Sequence, residues 1–150
     1  MPNQSILFFI NEPGAANVIE PLIEKILLVQ NTQIKIVVSR FVRKRFEKYF
    51  KDIIDDNIFF SSKHLELKQF KLIISGASFP PEKEIRLWKE AKNNNIPSIA
   101  ILDQWMHYRE RFCLPGKKNA LHLPSIIGIM DDFGKKEMLD GGFPENILKL

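Results

Sequence analysis

The sequence is poor in the features that mark several large classes of protein. It contains one cysteine, Cys113, so no disulfide can form within the chain and a structural zinc site would lack thiolate ligands. No apolar run approaches the ~18 residues of a membrane-spanning helix. The first five residues carry no lysine or arginine, unlike a secretory signal. These absences favour a globular protein of a reducing compartment, and we expect the chain to reside in the cytoplasm.

Motifs for common cofactors are also missing. No Gly-x-Gly-x-x-Gly follows a predicted strand, and the second predicted strand ends in Ser39-Arg40 rather than in an acid that would bind a ribose. None of the three histidines has another histidine or the cysteine at helical spacing. We therefore predict no bound dinucleotide, no other cofactor and no metal.

What the chain does contain is an alternation of apolar runs and helical patterns. With 150 residues, 45% hydrophobic and 27% charged, it has the size and composition of one globular domain. The apolar runs predict strands covered on both faces, at 6–10, 34–39, 72–75, 98–102 and 125–130, with a weaker candidate at 53–60. Such alternation requires parallel strands joined by right-handed crossovers. We predict one α/β domain over 1–150, a doubly wound, mostly parallel, Rossmann-like sheet of about six strands with helices on both faces.

The loop after the first strand, from Asn11 to Asn17, is a candidate binding site. Gly14 lets the backbone approach a ligand closely, and the helix N-terminus beyond it offers N–H groups and a positive dipole end to a phosphate or carboxylate. Asn17 and Glu20 resemble a capping box, although the regular helix begins at Pro21 in an alternative interpretation. The competing interpretation of the whole loop is a capped strand-to-helix turn without a ligand.

A second loop of small residues follows the strand predicted at 72–75. Ser75, Gly76 and Ser78 leave room for a substrate beside the backbone, while Glu84 suits the first turn of the next helix. An ordinary strand-to-helix connection is the structural alternative. Because the carboxyl ends of parallel strands share one edge of a sheet, we expect this loop to lie beside the first.

The most informative segment follows the strand predicted at 98–102. There the apolar run stops at an acid, and polar and aromatic side chains follow in close succession: Asp103, Trp105, His107, Tyr108, Arg109 and Arg111. Open α/β sheets bind their ligands at the carboxyl ends of the strands. The segment therefore predicts a site without identifying its ligand.

These side chains have both functional and structural interpretations. Asp103 is a candidate general base for a hydroxyl, or it orients an arginine. The two arginines are candidate clamps for a phosphate or carboxylate, with Asp103 and Glu110 as alternative salt-bridge partners. Trp105 and Tyr108 are candidate stacking surfaces for a sugar or base, or else core residues. His107 is a candidate proton shuttle.

Positive charge is concentrated between Arg40 and Lys51, in a chain of formal net charge +4. The apolar residues of this stretch follow one helical stripe: Val42, Phe46, Tyr49, Phe50 and Ile53. The basic residues then occupy the opposite face, which we interpret as a solvated surface or as a contact surface for phosphate, nucleic acid or an anionic membrane. No aromatic residue is left there to stack on bases, so we expect no specific nucleic-acid partner.

The order of these motifs resembles a known family. The chain has Glu-Pro-Gly-Ala-Ala-Asn in its first βα unit, then a Ser-Gly-Ala-Ser loop, then Ile-Leu-Asp-Gln-Trp-Met-His-Tyr-Arg-Glu-Arg-Phe. Its last part, 130–150, has Asp131 or Asp132 as the expected cap of a helix over 133–139, then Gly-Gly-Phe-Pro-Glu-Asn. Together these resemble the N-terminal, acceptor-side domain of GT-B-type glycosyltransferases and of the related non-hydrolysing UDP-N-acetylglucosamine 2-epimerases. The likeness spans nearly the whole chain and rests on motif order.

The resemblance implies two Rossmann-like domains facing each other across a cleft, with the acceptor on this half and the nucleotide sugar on a second domain beyond Leu150. The implied function is the acceptor-binding half of a nucleotide-sugar-dependent glycosyltransferase of polysaccharide or glycoconjugate synthesis, inactive alone. Asp103 or Glu12 would then be the base for an acceptor hydroxyl. The alternatives are a non-catalytic module for a sugar or phosphate ligand, a partner subunit for a separately encoded second domain, and half of a UDP-sugar 2-epimerase, whose acidic and histidine motifs are not reproduced clearly.

Overall fold

The apolar runs form one parallel sheet in the computed structural model of the chain, which describes residues 4–29, 32–56 and 65–150. The strands are β1 (Gln4–Ile10), β2 (Thr32–Val38), β3 (Leu72–Gly76), β4 (Ser98–Ile101), β5 (Ile126–Gly128) and β6 (Leu148–Lys149). Their order across the sheet is β2-β1-β3-β4-β5-β6, and all neighbouring pairs are parallel. The predicted α/β fold with a doubly wound, Rossmann-like sheet is confirmed.

Helices cover both faces of the sheet. They are α1 (Pro13–Leu27), α2 (Arg43–Phe50), α3 (Glu82–Asn93) and α4 (Asp132–Asp140), with 3-10 turns at Lys51–Ile53 and Glu145–Ile147. Alternate residues of β1 face the two layers, since Phe8 packs with α1 and α2 whereas Leu7 and Phe9 pack with α3. α4 packs through Met138 on the same side as α3, against β4, β5 and β6.

The direction of winding reverses beside β1. The chain passes from β1 to β2 on one side and then returns to β3 on the other, so that Phe8 pairs with Ile36 in β2 and with Ile74 in β3. In open parallel sheets, ligands bind in the crevice outside the carboxyl ends of the strands at such a switch point. This crevice, between the ends of β1 and β3, is called the switch crevice below.

The first helix begins earlier than either predicted start. Pro13 is its first residue and Glu12 is the N-cap residue, with extended backbone angles of φ −127° and ψ 154°. Proline fits the first helical position because an N–H at that position has no acceptor within the helix, so that its absence removes no helical hydrogen bond. The capping box of Asn17 and Glu20 and the start at Pro21 are therefore both wrong, and Pro21 lies inside the helix.

The weakest predicted strand, at 53–60, is not a strand where the structure describes it. Residues 51–53 form a 3-10 turn, and Ile54 makes an isolated parallel bridge to Ile36. Residues 57–60 lie outside the described residues. Instead β6, near the end of the chain, completes the six strands among the described residues.

The basic stretch forms α2, and its stripe is only partly buried. Phe46 and Phe50 are buried, but Tyr49 is 65% exposed, since it lies about 100° around the helix from Phe50. The Lys48 ammonium lies 4.8 Å from the centroid of the Tyr49 ring. Exposed Phe41 lies nearby in sequence, so the interpretation that no aromatic residue remains among these basic residues is wrong. Contact of this stretch with an anionic membrane stays a prediction.

Candidate functional site

Hydrogen bonds join the loops on either side of the switch crevice. The Asn11 Nδ2 donates to Ser78 Oγ over 3.2 Å, and the backbone N–H of Phe79 donates to Glu12 Oε1 over 3.2 Å. On the other side of β1, Ser39 Oγ donates to the carbonyl of Asn11 over 2.6 Å. Residues following three neighbouring strands thus form one network, in which Asn11, Glu12 and Ser78 lie together.

A buried carboxyl group lies next to Ser78 in this network. Ser78 Oγ donates to Oε1 of Glu84, whose residue is only 1% exposed and whose Oε2 has no hydrogen-bond partner among the described residues. Burial raises the pKa of Glu84 to about 7, against the lowering effect of the Ser78 hydrogen bond, and the charge of Glu12 contributes to the rise. Burial therefore favours the protonated form of this carboxyl group.

The sequence predicted for Glu84 only a favourable position for an acid in the first turn of a helix, and not its burial. The signal was present, because Glu84 lies in phase with the apolar stripe of Ile85, Trp88 and Ala91, all of them buried in α3. An acid at a buried helical position is unusual unless it is hydrogen-bonded or functional.

Asp103 reaches from the end of β4 to the start of α1. A Cβ on Gly14 would overlap Oδ2 of Asp103, so the carboxylate lies directly against the glycine at the positive end of the helix dipole. Gly76 is equally close to α1, because a Cβ there would overlap the Ala15 side chain. The structure therefore brings the loops after β1, β3 and β4 together at one edge of the sheet.

Arg111 fixes the loop that carries Asp103. The buried guanidinium donates from Nη1 to the carbonyl of Ala77, from Nε to the carbonyl of Met106 over 3.2 Å, and from Nη2 to Gln104 Oε1 over 2.8 Å. Its Nη1 also lies 4.0 Å from Oδ1 of Asp103. Because the residue is only 3% exposed and each guanidinium nitrogen donates to a protein group, this arrangement favours a role for Arg111 in positioning Asp103 and the loop over the predicted anion clamp.

Two other predicted binding residues are engaged elsewhere. Arg109 donates from Nη1 to the carbonyl of Gly141 and from Nη2 to the carbonyl of Lys118 over 2.8 Å, so it ties the loop after β4 to the end of α4. Asn17 is exposed on α1, where its Oδ1 accepts from Arg45 Nη1 over 2.8 Å. Neither arrangement places a side chain in the switch crevice.

Ser75 also has a structural partner. It is fully buried, its Oγ accepts from Trp88 Nε1 over 3.0 Å, and it donates to the carbonyl of Gly76 over 2.8 Å. The hydroxyl satisfies the indole N–H of a core tryptophan, which would otherwise be buried without a partner. Ser75 is therefore a core residue beneath the loop.

The rings of Phe79 and His107 stack beside the network. Their centroids are 5.4 Å apart with only 6° between the planes, and both residues are exposed. The backbone of His107 has φ +58°, a left-handed conformation that is uncommon outside glycine and in which Asn, Asp and His are the most frequent other residues. This parallel pair of exposed rings lies next to Ser78 and Glu12.

Trp105 and Tyr108 take different environments. Trp105 is exposed, and its Nε1 donates to Oδ2 of Asp131 over 2.8 Å, while Oδ1 of Asp131 caps α4 by accepting from the N–H of Gly134. The predicted cap of α4 by Asp131 is confirmed. Tyr108 is half-buried beside Gly134, and its hydroxyl has no hydrogen-bond partner among the described residues. Burial, and then the charge of Asp131, raises the pKa of this phenol.

Large apolar side chains are exposed along the same edge of the sheet. Each is at least 36% exposed and follows one of the strands β2 to β5: Phe41, Phe79, Trp105, Met106, Met130 and Phe133. We call this set the apolar rim. Exposed apolar side chains mark an interaction surface where they form a continuous patch.

Among the described residues, no group of three or more His, Cys, Asp or Glu is arranged to hold a metal ion. Within the same part of the chain, no helix is both long and apolar enough to cross a membrane. Comparison of the sequence with models of protein families gives no match, and comparison with curated proteins gives none. The fold and the site therefore define the class: an α/β domain with one parallel sheet and a polar crevice at its switch point.

Proposed function

We propose that the chain is the acceptor-binding half of a nucleotide-sugar-dependent glycosyltransferase of polysaccharide or glycoconjugate synthesis, inactive without a second domain. One observation carries the proposal: the hydrogen-bonding groups of Asn11, Glu12 and Ser78 lie beside the stacked rings of Phe79 and His107. A sugar has the matching surfaces, with hydroxyl groups around its edge and C–H groups on its faces. Binding sites of this kind combine apolar walls with a few fixed polar groups.

Glu12 is the proposed general base. Its Oε1 is held by the backbone N–H of Phe79, and the side chain is half-buried at the N-terminus of α1. In the transfer, the acceptor hydroxyl oxygen forms a bond to the anomeric carbon, the bond from that carbon to the diphosphate oxygen breaks, and Glu12 takes the hydroxyl proton. Asp103 is more enclosed, with its side chain 7% exposed. We assign it to positioning the loops.

The apolar rim supports the need for a second domain. A domain closing over Phe79, Trp105 and Met106 would bury apolar surface and exclude water from the transfer. The same rim favours one other candidate function, a partner subunit that docks a separately encoded protein through this edge. That subunit would bind neither a sugar nor a nucleotide by itself.

Titration of the ¹⁵N-labelled chain followed by NMR tests the proposal. We expect neutral oligosaccharides to shift the amide signals of Gly14, Gly76, Phe79 and His107, and UDP to leave them unchanged, since the nucleotide would bind on the second domain. UDP-N-acetylglucosamine should resemble free N-acetylglucosamine. A stronger response to UDP than to any sugar would contradict the acceptor-side assignment, and no response to either would favour the docking subunit.

A further inference from the structure

Acidic groups outnumber basic groups at the switch crevice. Glu12, Glu84 and Asp103 bring three carboxyl groups to it, whereas Arg111 lies 4.0 Å from Asp103 alone and Arg109 donates to carbonyl oxygens. A sugar carrying a phosphate or a carboxylate would need a cation or a free set of N–H groups in their place.

The usual site for an anion in such a fold is already filled. In parallel α/β proteins a phosphate commonly sits at the N-terminus of the helix after the first strand. Here the Asp103 carboxylate lies against Gly14 at that position, and Glu12 precedes it as the N-cap residue. The protein thus supplies its own anion to the positive end of α1.

A second and independent feature points to a ligand that donates hydrogen bonds. Glu84 extends from α3 to Ser78 at the base of the crevice, and only 1% of the residue is exposed. Its Oε2 has no hydrogen-bond partner among the described residues. An acceptor held without a donor favours hydroxyl or ammonium groups nearby and opposes a further negative charge.

Arg40 is a basic residue that also follows the end of a strand, β2. Its guanidinium carbon lies 4.9 Å from the centroid of the Phe41 ring. β2 flanks β1 on the side opposite β3, so Arg40 lies across β1 from the switch crevice. It therefore does not balance the three carboxyl groups.

We propose that the switch crevice takes a sugar without an anionic group, either neutral or bearing an ammonium group, and rejects sugars that carry phosphate or carboxylate. The inference rests on the proposed function, because it names the acceptor class of that same site. It also separates this crevice from phosphate-binding crevices of similar folds, where the helix N-terminus is open.

A charge series of monosaccharides tests the inference. The chain is titrated at pH 7 with glucosamine, glucose, glucuronate and glucose 6-phosphate, each followed by NMR at the amides of Gly76, Phe79 and His107. We expect the Kd to rise in that order of ligand charge, with at least a tenfold difference between glucosamine and glucose 6-phosphate, and the difference to shrink in 0.5 M salt, where charge interactions are screened to a Debye length of roughly 4 Å.

Two variants connect the preference to the carboxyl groups. Asp103→Asn and Glu12→Gln keep the side-chain size and should each reduce the preference for glucosamine over glucose severalfold. Glu47→Gln removes one negative charge from α2, where that carboxylate pairs with Arg43, and should leave the preference unchanged. An unchanged preference in both crevice variants would overturn the inference even if one of them folds poorly, since the other reports independently.

The outcomes separate the inference from the proposed function. Glucose 6-phosphate or glucuronate binding as tightly as glucose would overturn the acceptor class and leave a sugar-binding crevice. Absence of any response to all four sugars at 100 mM would overturn the proposed function together with the inference.

Discussion

The two edges of the sheet differ in chemistry. At the amino ends of β4 and β5, a cavity of about 530 Å³ is lined by Trp88, Lys92, prolines, aliphatic side chains, amides and hydroxyls, with no acid or histidine among its described lining residues. Its Ser98 and Ser125 satisfy each other, since each backbone N–H donates to the other's Oγ. The switch crevice at the carboxyl edge instead holds a carboxyl oxygen without a partner, on Glu84.

The direction of the strands explains this difference. Every loop at the carboxyl ends of β1, β3 and β5 leads into the N-terminus of a helix, where free N–H groups and the helix dipole stabilise negative charge. Glu12 precedes α1, Glu84 lies in the first turn of α3, and Asp131 caps α4. The comparison favours the edge with the acids, and not the edge with the cavity, as the location of the proposed site.

The largest expected effect comes from removing the cation of the carboxyl edge. Arg111→Met should lower the free energy of unfolding by about 3 kcal/mol, because it leaves Asp103 enclosed without its cation and the carbonyl of Ala77 without its donor. Lys92→Met, in the lining of the amino-edge cavity, should change it by less than about 0.5 kcal/mol. Urea unfolding measures both, and equal losses would remove the contrast between the edges.

A further packing effect concerns the close approach of Asp103 to Gly14. Gly14→Ala should destabilise the fold by about 2 kcal/mol, although alanine favours a helix, because its Cβ overlaps the carboxylate. Gly128→Ala is the matched control, since a Cβ on that residue of β5 meets nothing closer than 3.7 Å. The double variant Gly14→Ala with Asp103→Ala should recover most of the loss. Urea unfolding that finds both single variants equal would contradict the packing.

Glu84 gives the carboxyl edge a pH dependence. Its pKa in the folded chain, raised to about 7, exceeds that of an unfolded glutamate, so the folded state binds more protons between about pH 4.5 and 7 and this group's contribution to stability falls as pH rises through that window. Across this window the contribution of Glu84 to the free energy of unfolding falls by about 3 kcal/mol. Glu84→Gln should remove this fall, and Glu82→Gln, exposed in the same helical turn, should not.

Unfolding by urea at pH 5 and pH 8 measures this prediction. The wild-type chain should lose more stability between the two values than Glu84→Gln does. The same pH dependence in the two proteins would assign the effect to other groups.

The fold could be predicted because its determinants are local. Strands covered on both faces read as continuous apolar runs, as in β1 and β4, and the helix after β5 has its cap and its terminal glycines close together in sequence. Parallel strands alone place the loops after β1, β3 and β4 at one edge, whereas the position of the switch crevice depends on the strand order. The start of α1 was missed because Glu12 caps it without a side-chain hydrogen bond, so the usual capping residues pointed to Asn17 instead.

The partners of the site residues could not be predicted, because distant backbone decides them. Arg109 and Arg111 look alike in sequence, but the first bonds a carbonyl 32 residues away and the second a carbonyl 34 residues away in the other direction. The burial of Glu84 likewise depends on where Ser78 and α3 meet in the fold. The types and order of the residues do not indicate which distant groups the fold brings within hydrogen-bond distance.

The smallest expected effect compares two residues of positive φ, one near each edge. Asn95, with φ 55°, follows α3 at a position where asparagine is common, and His107, with φ 58°, is a residue that, like asparagine, adopts this conformation more often than most. His107→Asn should therefore change the free energy of unfolding by less than about 1 kcal/mol, since asparagine accepts the same backbone and the loss is limited to the stacking on Phe79. The same variant should weaken binding of a neutral oligosaccharide severalfold, because one of the two stacked rings is gone, and Asn95→Gly should leave that binding unchanged. NMR titration of the two variants decides the point: equal sugar affinities would mean that the unusual backbone at His107 belongs to the fold and has no part in the site.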